Sequence, residues 1–121
     1  MTTSEIATVL AWHDALNERD LDTLLSLSSD DIEVGDAKGA TQGHAALLEW
    51  AQSSDFRAEP GRMYVHDGVV VVEEAVTSGE GSTTAAAAFR VVRDHITSVF
   101  RHPDLATALA ATELSEKDLA G

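Results

Sequence analysis

The stretch that decides the fold reads MYVHDGVVVV and runs from Met63 to Val72. An Asp-Gly pair between two apolar runs favours a two-residue β-hairpin turn, and β-branched residues favour strands. The sequence therefore predicts strands at 62–66 and 69–78, joined by a turn at Asp67 and Gly68.

The residues that follow predict two more strands. Glycines at 79 and 81 interrupt the alternating pattern, which resumes from 83 to 93 and again, after a turn at Asp94 and His95, from 96 to 102. Consecutive strands joined by short turns indicate an antiparallel meander.

The first half of the chain has a different period. Its apolar residues recur at the 3.6-residue spacing of amphipathic helices, and polar residues stand at the capping positions. The predicted elements are a helix from the Ser4 cap to about Arg19, a helix at 21–27 capped by Asp20, a short strand at 32–34 and a helix at 45–52.

Helices followed by a meander are typical of an α+β domain, and we expect one domain over residues 1–121. Asp104 is expected to cap a short helix that reaches Ala111. The polar residues 112–121 are expected to form a frayed tail.

The chain has 121 residues, 8 basic and 21 acidic, for a net charge of −13, and it has no cysteine. This charge disfavours binding to nucleic acid or to anionic membranes. The residues MTTSE at the start lack the basic start of a secretory signal, so we expect a cytoplasmic protein. His and Glu spacings typical of a metal site are missing, and we expect neither a metal nor another cofactor.

Four segments and one acid stand out: WHDALNERDLD at 12–22, SDDIEV at 29–34, Asp36, GHAAL at 43–47 and FRVVRDHI at 89–96. Together they resemble the NTF2-like superfamily, especially its SnoaL-like and ketosteroid-isomerase-like branches. The resemblance implies a cone, in which a curved, mainly antiparallel sheet wraps around an apolar pocket closed by three N-terminal helices. It also implies that a small hydrophobic molecule binds in the pocket.

Relatives in this superfamily often pair as homodimers through the outer face of the sheet. The valines at 69–72 are consistent with such pairing, because they place apolar side chains on both faces of one strand. We therefore expect a homodimer.

The superfamily includes isomerases, cyclases, epoxide hydrolases, dehydratases and non-catalytic binding domains. Asp36 lies where similar isomerases place their general base, and apolar walls would make its carboxylate bind a proton more readily. The alternative is a solvated turn aspartate. The isomerase oxyanion hole corresponds to Trp12 and Ala87, and because Ala87 cannot donate a hydrogen bond, steroid isomerase activity is not expected.

Alternate-residue counting places further side chains in the pocket. If Phe89 and Phe100 both face inward, Ala87 lies beside Phe89, and Ser98 and His102 lie beside Phe100. A neutral His102 could act as acid or base near pH 7, whereas the alternative is a half-exposed histidine at a strand end.

Glu74 interrupts the apolar face formed by alternate valines of its strand, so it is either a pocket carboxylate or a mark of the sheet edge. Trp12, Trp50 and Tyr64 are pocket-lining candidates that could equally be core residues. His13 lies on the apolar stripe of the first helix and is interpreted as a satisfied core histidine.

An epoxide-hydrolase site would need an Asp-Arg-Asp set. The same counting sends Arg90 and Arg101 to the face opposite the two phenylalanines, which argues against that site. The alanines at 85–88 are unusual for a strand, and they leave room either for a ligand or for another sheet.

Two functions remain open. The first is cofactor-independent proton transfer, of the isomerase or cyclase type, on a small apolar carbonyl compound through Asp36, with His102 as a further candidate. The second is a non-catalytic module that binds a small ligand or only dimerises.

Overall fold

The computed structural model describes residues 2–36, 38–53, 57–79 and 81–120. Helices and strands alternate at first and give way to a long run of strands. In chain order the elements are α1 (Thr2–Glu18), α2 (Leu21–Ser26), β1 (Ser28–Asp36), β2 (Gly39–Gln42), α3 (His44–Ser53), β3 (Arg57–His66), β4 (Val69–Ser78), β5 (Gly81–Val92), β6 (His95–His102), α4 (Leu105–Thr112), a 3₁₀ turn (Glu116–Asp118) and β7 (Leu119–Ala120).

The strands form one curved, unclosed sheet in the order β2-β1-β6-β5-β4-β3-β7. Strands β1 and β6 run parallel, and every other neighbouring pair is antiparallel. The predicted α+β class and the predicted meander are confirmed. Helices α1 and α2 precede the first strand, whereas α3 follows β2.

The turn between β3 and β4 lies at Asp67 and Gly68, as predicted. Their φ angles of 49° and 79° are both positive, as a tight hairpin turn of this kind requires. The turn between β5 and β6 lies one residue earlier than predicted, at Arg93 and Asp94, with φ angles of 51° and 65°.

The helix predictions are confirmed with small shifts of their ends. Helix α1 begins at Thr2, so Ser4 lies inside it and is not its cap. The predicted cap of α2 is present, because the Asp20 carboxylate accepts a hydrogen bond from the backbone N–H of Thr23. Strand β1 begins directly after α2 and is longer than predicted.

The inner face of the sheet packs against α1, α2 and α3. The side chains there are buried and mostly apolar, which is the expected arrangement for a sheet with one face on the core. Its larger members are Val9, Trp12, Leu16, Leu24, Ile32, Leu47, Val70, Val72, Phe89, Ile96 and Val99.

The outer face is covered in part by α4. Ala108 of this helix packs with Tyr64, Val71 and Ala86 of the sheet, with Val69 at the edge of the cluster. The second apolar face of the valine strand is therefore buried within one chain. The observation on which the homodimer was predicted has an intramolecular explanation, and the dimer itself stays a prediction.

The small residues of β5 serve this packing. Ala86 and Ala88 face outward and lie in or against the α4 cluster, whereas Ala87 faces the inner core. We predicted that these alanines admit a ligand or another sheet, and the element that approaches closely at Ala86 is the helix α4.

The prediction that residues 112–121 are frayed is wrong for the residues that the structure describes. Leu114 is buried, and Leu119 and Ala120 pair with Tyr64 and Met63 on β3. An apolar anchor and an added strand hold this segment on the sheet. Residue 121 lies outside the described residues.

A bulge in β6 decides which side chains reach the inner face. Arg90 pairs with Ser98, but the next residue, Val91, pairs with Ile96, so Thr97 is an extra residue in β6. An extra residue turns every later side chain of the strand to the other face.

Among the described helices, none is long and apolar enough to cross a membrane.

Candidate functional site

A buried pair of titratable side chains lies on the inner face of the sheet. His13 Nε2 on α1 is 2.6 Å from Glu74 Oε2 on β4. His13 is fully buried and Glu74 is 2% exposed. Buried charged or polar groups in a core of this kind need a partner, and each of these two residues provides it for the other.

The hydrogen bonds of His13 determine how many protons the pair holds. Its Nδ1 is 2.9 Å from the backbone oxygen of Val9, which can only accept, so Nδ1 carries a proton. The short contact from Nε2 to Glu74 needs a second proton between the two atoms. The pair is therefore either an imidazolium with a carboxylate or an imidazole with a carboxylic acid, and in both forms one proton is shared.

Arg101 completes the cluster from β6. Its Nη2 is 3.0 Å from Glu74 Oε1, the carboxylate oxygen that His13 does not contact. Oε1 is buried and accepts no hydrogen bond of good geometry from the described residues. His13 thus orients one oxygen of the carboxylate. The other oxygen lies beside a cation and can still accept a hydrogen bond.

The three side chains come together for identifiable reasons. His13 follows Val9 by one helical turn, and Glu74 follows Val70 and Val72 at alternate positions of β4, on the same face. Arg101 pairs with Ala87, whose side chain faces the core, because the bulge at Thr97 has turned the end of β6.

Aromatic rings surround the pair. The centroid of the Phe89 ring lies 5.3 Å from those of His13 and Trp12, and Trp12 stacks on Trp50 at 6.1 Å. The indole N–H of Trp12 donates to Ser28 Oγ at 3.1 Å. That donor is already used, so the suggested correspondence of Trp12 with an oxyanion-hole residue is not supported by its hydrogen bond.

Glu74 also lines a surface groove of about 280 Å³ at the far end of β3 and β4. The register of β3 against β4 is irregular between Pro60 and Met63, and this irregularity forms one wall. The remaining lining residues are Glu59, Gly61, Glu73, Ala75 and Thr84.

Asp36 does not lie in an apolar pocket. It is exposed at the end of β1, and its Oδ1 accepts a hydrogen bond of 2.8 Å from the backbone N–H of Lys38. This is the local bond typical of a turn aspartate, which was the alternative interpretation. The prediction that apolar walls desolvate Asp36 is wrong, because its side chain is exposed to solvent and bonds to the adjacent turn.

Three predicted pocket residues face the opposite side of the sheet. Ser98 and His102 pair with Arg90 and Ala86, and Phe100 pairs with Ala88, all on the outer face. The prediction placed Ser98 and His102 beside Phe100, on the same inward face as Phe89, and a hairpin without the extra residue Thr97 would have this arrangement. Arg101 was predicted on the outer face for the same reason, and it lies inside.

Tyr64 was also a pocket-lining candidate, but it lies on the outer face. It is fully buried under α4 and the C-terminal segment. Trp12, Trp50, Glu74, Ala87 and Phe89 belong to or pack against the inner core, and their place in a ligand pocket stays a prediction.

Sequence reasoning found both members of the buried pair separately but not their contact. His13 was interpreted correctly as a satisfied core histidine, and Glu74 was noticed because it interrupts an apolar face. Arg101 was missed as an inner residue. Among the described residues, no group of three or more His, Asp or Glu side chains could hold a metal ion.

Comparison with known proteins agrees with the fold. A family model for the SnoaL-like domain matches residues 9–104. The chain therefore belongs to the SnoaL-like family. No curated protein matches the chain significantly.

Solved structures share this fold at low identity. An NTF2-like protein of unknown function from Cytophaga hutchinsonii is 14% identical, with a TM-score of 0.75, over 87% of this chain and 94% of that one. A candidate ketosteroid isomerase from Kribbella flavida is 18% identical, with a TM-score of 0.76, over 82% and 76%. A candidate polyketide cyclase from Sinorhizobium meliloti is 22% identical, with a TM-score of 0.73, over 79% and 94%.

Proposed function

We propose that this SnoaL-like protein catalyses proton transfer on a small apolar carbonyl compound, with Glu74 as the proton-transfer group. The observation that carries the proposal is the buried His13–Glu74 pair, whose Nε2 and Oε2 atoms are 2.6 Å apart beside an apolar core. A carboxylate and a histidine within hydrogen-bond distance are groups that general acid–base catalysis uses.

The proposed roles follow from Glu74 Oε1, which has no hydrogen-bond partner among the described residues, and from the nearby Arg101 guanidinium. In the form with an imidazolium and a carboxylate, Glu74 Oε1 can take a proton from the carbon next to a substrate carbonyl. The bonding electrons move to the carbonyl oxygen, where negative charge develops beside the Arg101 guanidinium. Return of the proton from Glu74 to another carbon of the same molecule gives an isomer and restores the site.

In this proposal His13 is a positioning residue and does not touch the substrate. Its bond to the Val9 carbonyl fixes the ring, and its bond to Oε2 fixes the carboxylate. Phe89 and Trp50 would contact an apolar substrate that enters the cone between the sheet and the helices. The cone and its apolar pocket are part of the proposal.

A purely stabilising role is a weaker explanation for the cluster. Buried ion pairs often contribute no more stability than apolar residues of the same size, because desolvation offsets their attraction. A protein that needed only a packed core could place apolar residues at positions 13 and 74.

The second candidate is a non-catalytic module that binds a small ligand or a second copy of the chain. The burial of both His13 and Glu74 favours it, because a substrate must reach Oε1 before any proton can move. The two candidates differ in one measurable property, which is turnover.

Hydrogen–deuterium exchange at carbon tests the proposal directly. A panel of small apolar ketones and enones is incubated with the protein in D₂O, and loss of the signal from the carbon next to the carbonyl is followed by NMR. We expect exchange with the natural chain and a loss of at least about 100-fold in Glu74→Gln.

Two matched variants make this experiment decisive. Glu73→Gln changes the neighbouring acid, which pairs with Arg62 on the outer side, and Asp36→Asn changes the acid first predicted as the base. Both are expected to keep full exchange. Exchange that survives in folded Glu74→Gln, or that is missing for every compound with the natural chain, would overturn the proposal.

A further inference from the structure

A second groove lies on the outer face of the sheet, away from the His13–Glu74 pair. Its volume is about 440 Å³, which is within the range of small-molecule sites. Val69, Ala88 and Phe100 form an apolar floor, and the end of α4 forms one wall through Ala111 and Thr112.

Within the part of the chain that the structure describes, three polar side chains that line this groove have no hydrogen-bond or ion-pair partner, although Asp104 interacts electrostatically with His102. Arg90, Ser98 and His102 make no side-chain hydrogen bond or ion pair with any residue in the described ranges. In contrast, Arg57, Arg62 and Arg101 each pair with a glutamate. Arg90 therefore places a positive charge without an acidic partner among the described residues at the edge of an apolar floor.

The strand register fixes the positions of these groups. Arg90 and Ser98 are direct partners across β5 and β6, so they lie together at one end of the floor. His102 is four residues further along β6, which corresponds to about 13 Å of strand. Phe100 lies between them on the same face.

We propose that this groove binds a small, flat monocarboxylic acid that has a hydroxyl group at its far end. The carboxylate accepts hydrogen bonds from Arg90 and Ser98, the apolar body lies on Phe100 and Ala88, and the hydroxyl reaches His102. Glu113 also lines the groove. Its carboxylate disfavours a second acid on the ligand and can accept a hydrogen bond from the hydroxyl.

The proposal does not depend on the proton-transfer function. The inner and outer sites lie on opposite faces of the same strands. Phe89 borders both, but Arg90, Ser98 and His102 take no part in the proton-transfer site. Arg90 favours one carboxylate at this groove over a second copy of the chain, because a copy brings a net charge of −13 to the same face and a monocarboxylate brings only one negative charge.

Titration of the full chain with p-coumarate, followed by amide NMR shifts, tests the site. We expect saturable shifts at Ala88, Phe100 and Thr112, and at least about tenfold weaker binding of the neutral amide of the same acid. Arg90→Gln should weaken binding by a similar factor. Arg93→Gln removes the same charge from the adjacent turn and should leave the affinity unchanged.

His102→Gln separates the two ends of the ligand. It should abolish the preference for p-coumarate over cinnamate, which lacks the hydroxyl, while binding of cinnamate persists. Glu74→Gln should have no effect on either.

Three outcomes would overturn the proposal. The first is equal weakening by Arg90→Gln and Arg93→Gln, which indicates a general effect of charge. The second is the absence of saturable shifts for p-coumarate. The third is a dimer, detected by sedimentation, in which the amides of Ala88 and Phe100 are protected from hydrogen exchange. A second copy would then occupy this face.

Discussion

His13 and Glu74 lie 61 residues apart in the chain, yet the ring nitrogen and the carboxylate oxygen are 2.6 Å apart. The contact connects the middle of α1 to the inner face of β4 and puts two polar groups inside an apolar core. Removal of one partner would leave the other buried without its hydrogen bond.

Glu74→Ala is therefore expected to reduce the free energy of unfolding by about 3–5 kcal/mol. Glu73→Ala is the matched control, because its partner Arg62 is on the surface and such pairs contribute about 0–1 kcal/mol. Urea denaturation of both variants measures the difference. Similar losses for the two would show that the buried pair has no special role in the core.

Coupling between the partners can be measured in the same way. His13→Gln and Glu74→Gln each disturb the same contact, so the double variant should lose less stability than the sum of the single variants, by about 0.5–3 kcal/mol. The four unfolding free energies of this cycle check the prediction. Additive losses would mean that the short contact does not persist in solution.

The turn before β4 depends on glycine at position 68. Gly68 has φ of 79°, and an added Cβ would lie 3.1 Å from the backbone oxygen of Val91. Gly68→Ala should cost about 1–2 kcal/mol for the left-handed backbone alone. Gly79→Ala is the control, since nothing lies within 4 Å of its added Cβ and its φ is not in the left-handed region. Thermal melting of both variants should show a lower Tm for Gly68→Ala only.

Asp104 gives the stability of α4 a pH dependence. Its Oδ1 accepts a hydrogen bond of 2.8 Å from the backbone N–H of Thr107, and this bond lowers the pKa of Asp104 below its ordinary value of 3.8. A depressed acid pKa means that the unfolded chain takes up the proton first. The stabilising contribution is therefore complete above the unfolded pKa and is lost as pH falls through the folded one.

Asp104→Ala should accordingly lower Tm at pH 7, and its difference from the natural chain should shrink as the pH is lowered below about 3.8. Asp31→Ala, an exposed acid on β1, should show no such trend. If the loss of Tm caused by Asp104→Ala is about the same at pH 7 and at about pH 2.5, the stabilisation does not depend on the charge of Asp104.

Asp36→Asn should change Tm by less than about 2 °C at pH 8. The side chain is exposed, and asparagine can accept the same hydrogen bond from Lys38 N–H. Burial of a charged carboxylate would instead make the variant clearly more stable at this pH. Melting curves at pH 5 and pH 8 distinguish the two situations.

Local signals were sufficient for most elements of this fold, but the short strands β2 and β7 were not predicted. Asp67 and Gly68 specify their turn through backbone conformation alone, and Asp20 and Asp104 cap helices through bonds to residues three positions away. Such features depend on neighbours in the chain, and sequence patterns report neighbours well.

The site required information that is not local. Glu74 was recognisable as a polar residue on an apolar face, but the identity of its partner depends on how α1 crosses the sheet. The position of Arg101 depends on Thr97, a residue whose type gives no sign that it is the extra one in β6.

The bulge at Thr97 reverses the inward and outward alternation of the rest of β6. Residues 98–102 keep their order, but each side chain lies on the face opposite to the one it would occupy without the bulge. The two faces therefore carry different side chains. The inner surface acquires the cation of Arg101, and the outer surface acquires Ser98, Phe100 and His102. An insertion or deletion of one residue at this point would exchange these two sets at once, so relatives with the same strands could differ in chemistry on both faces without any change of residue type.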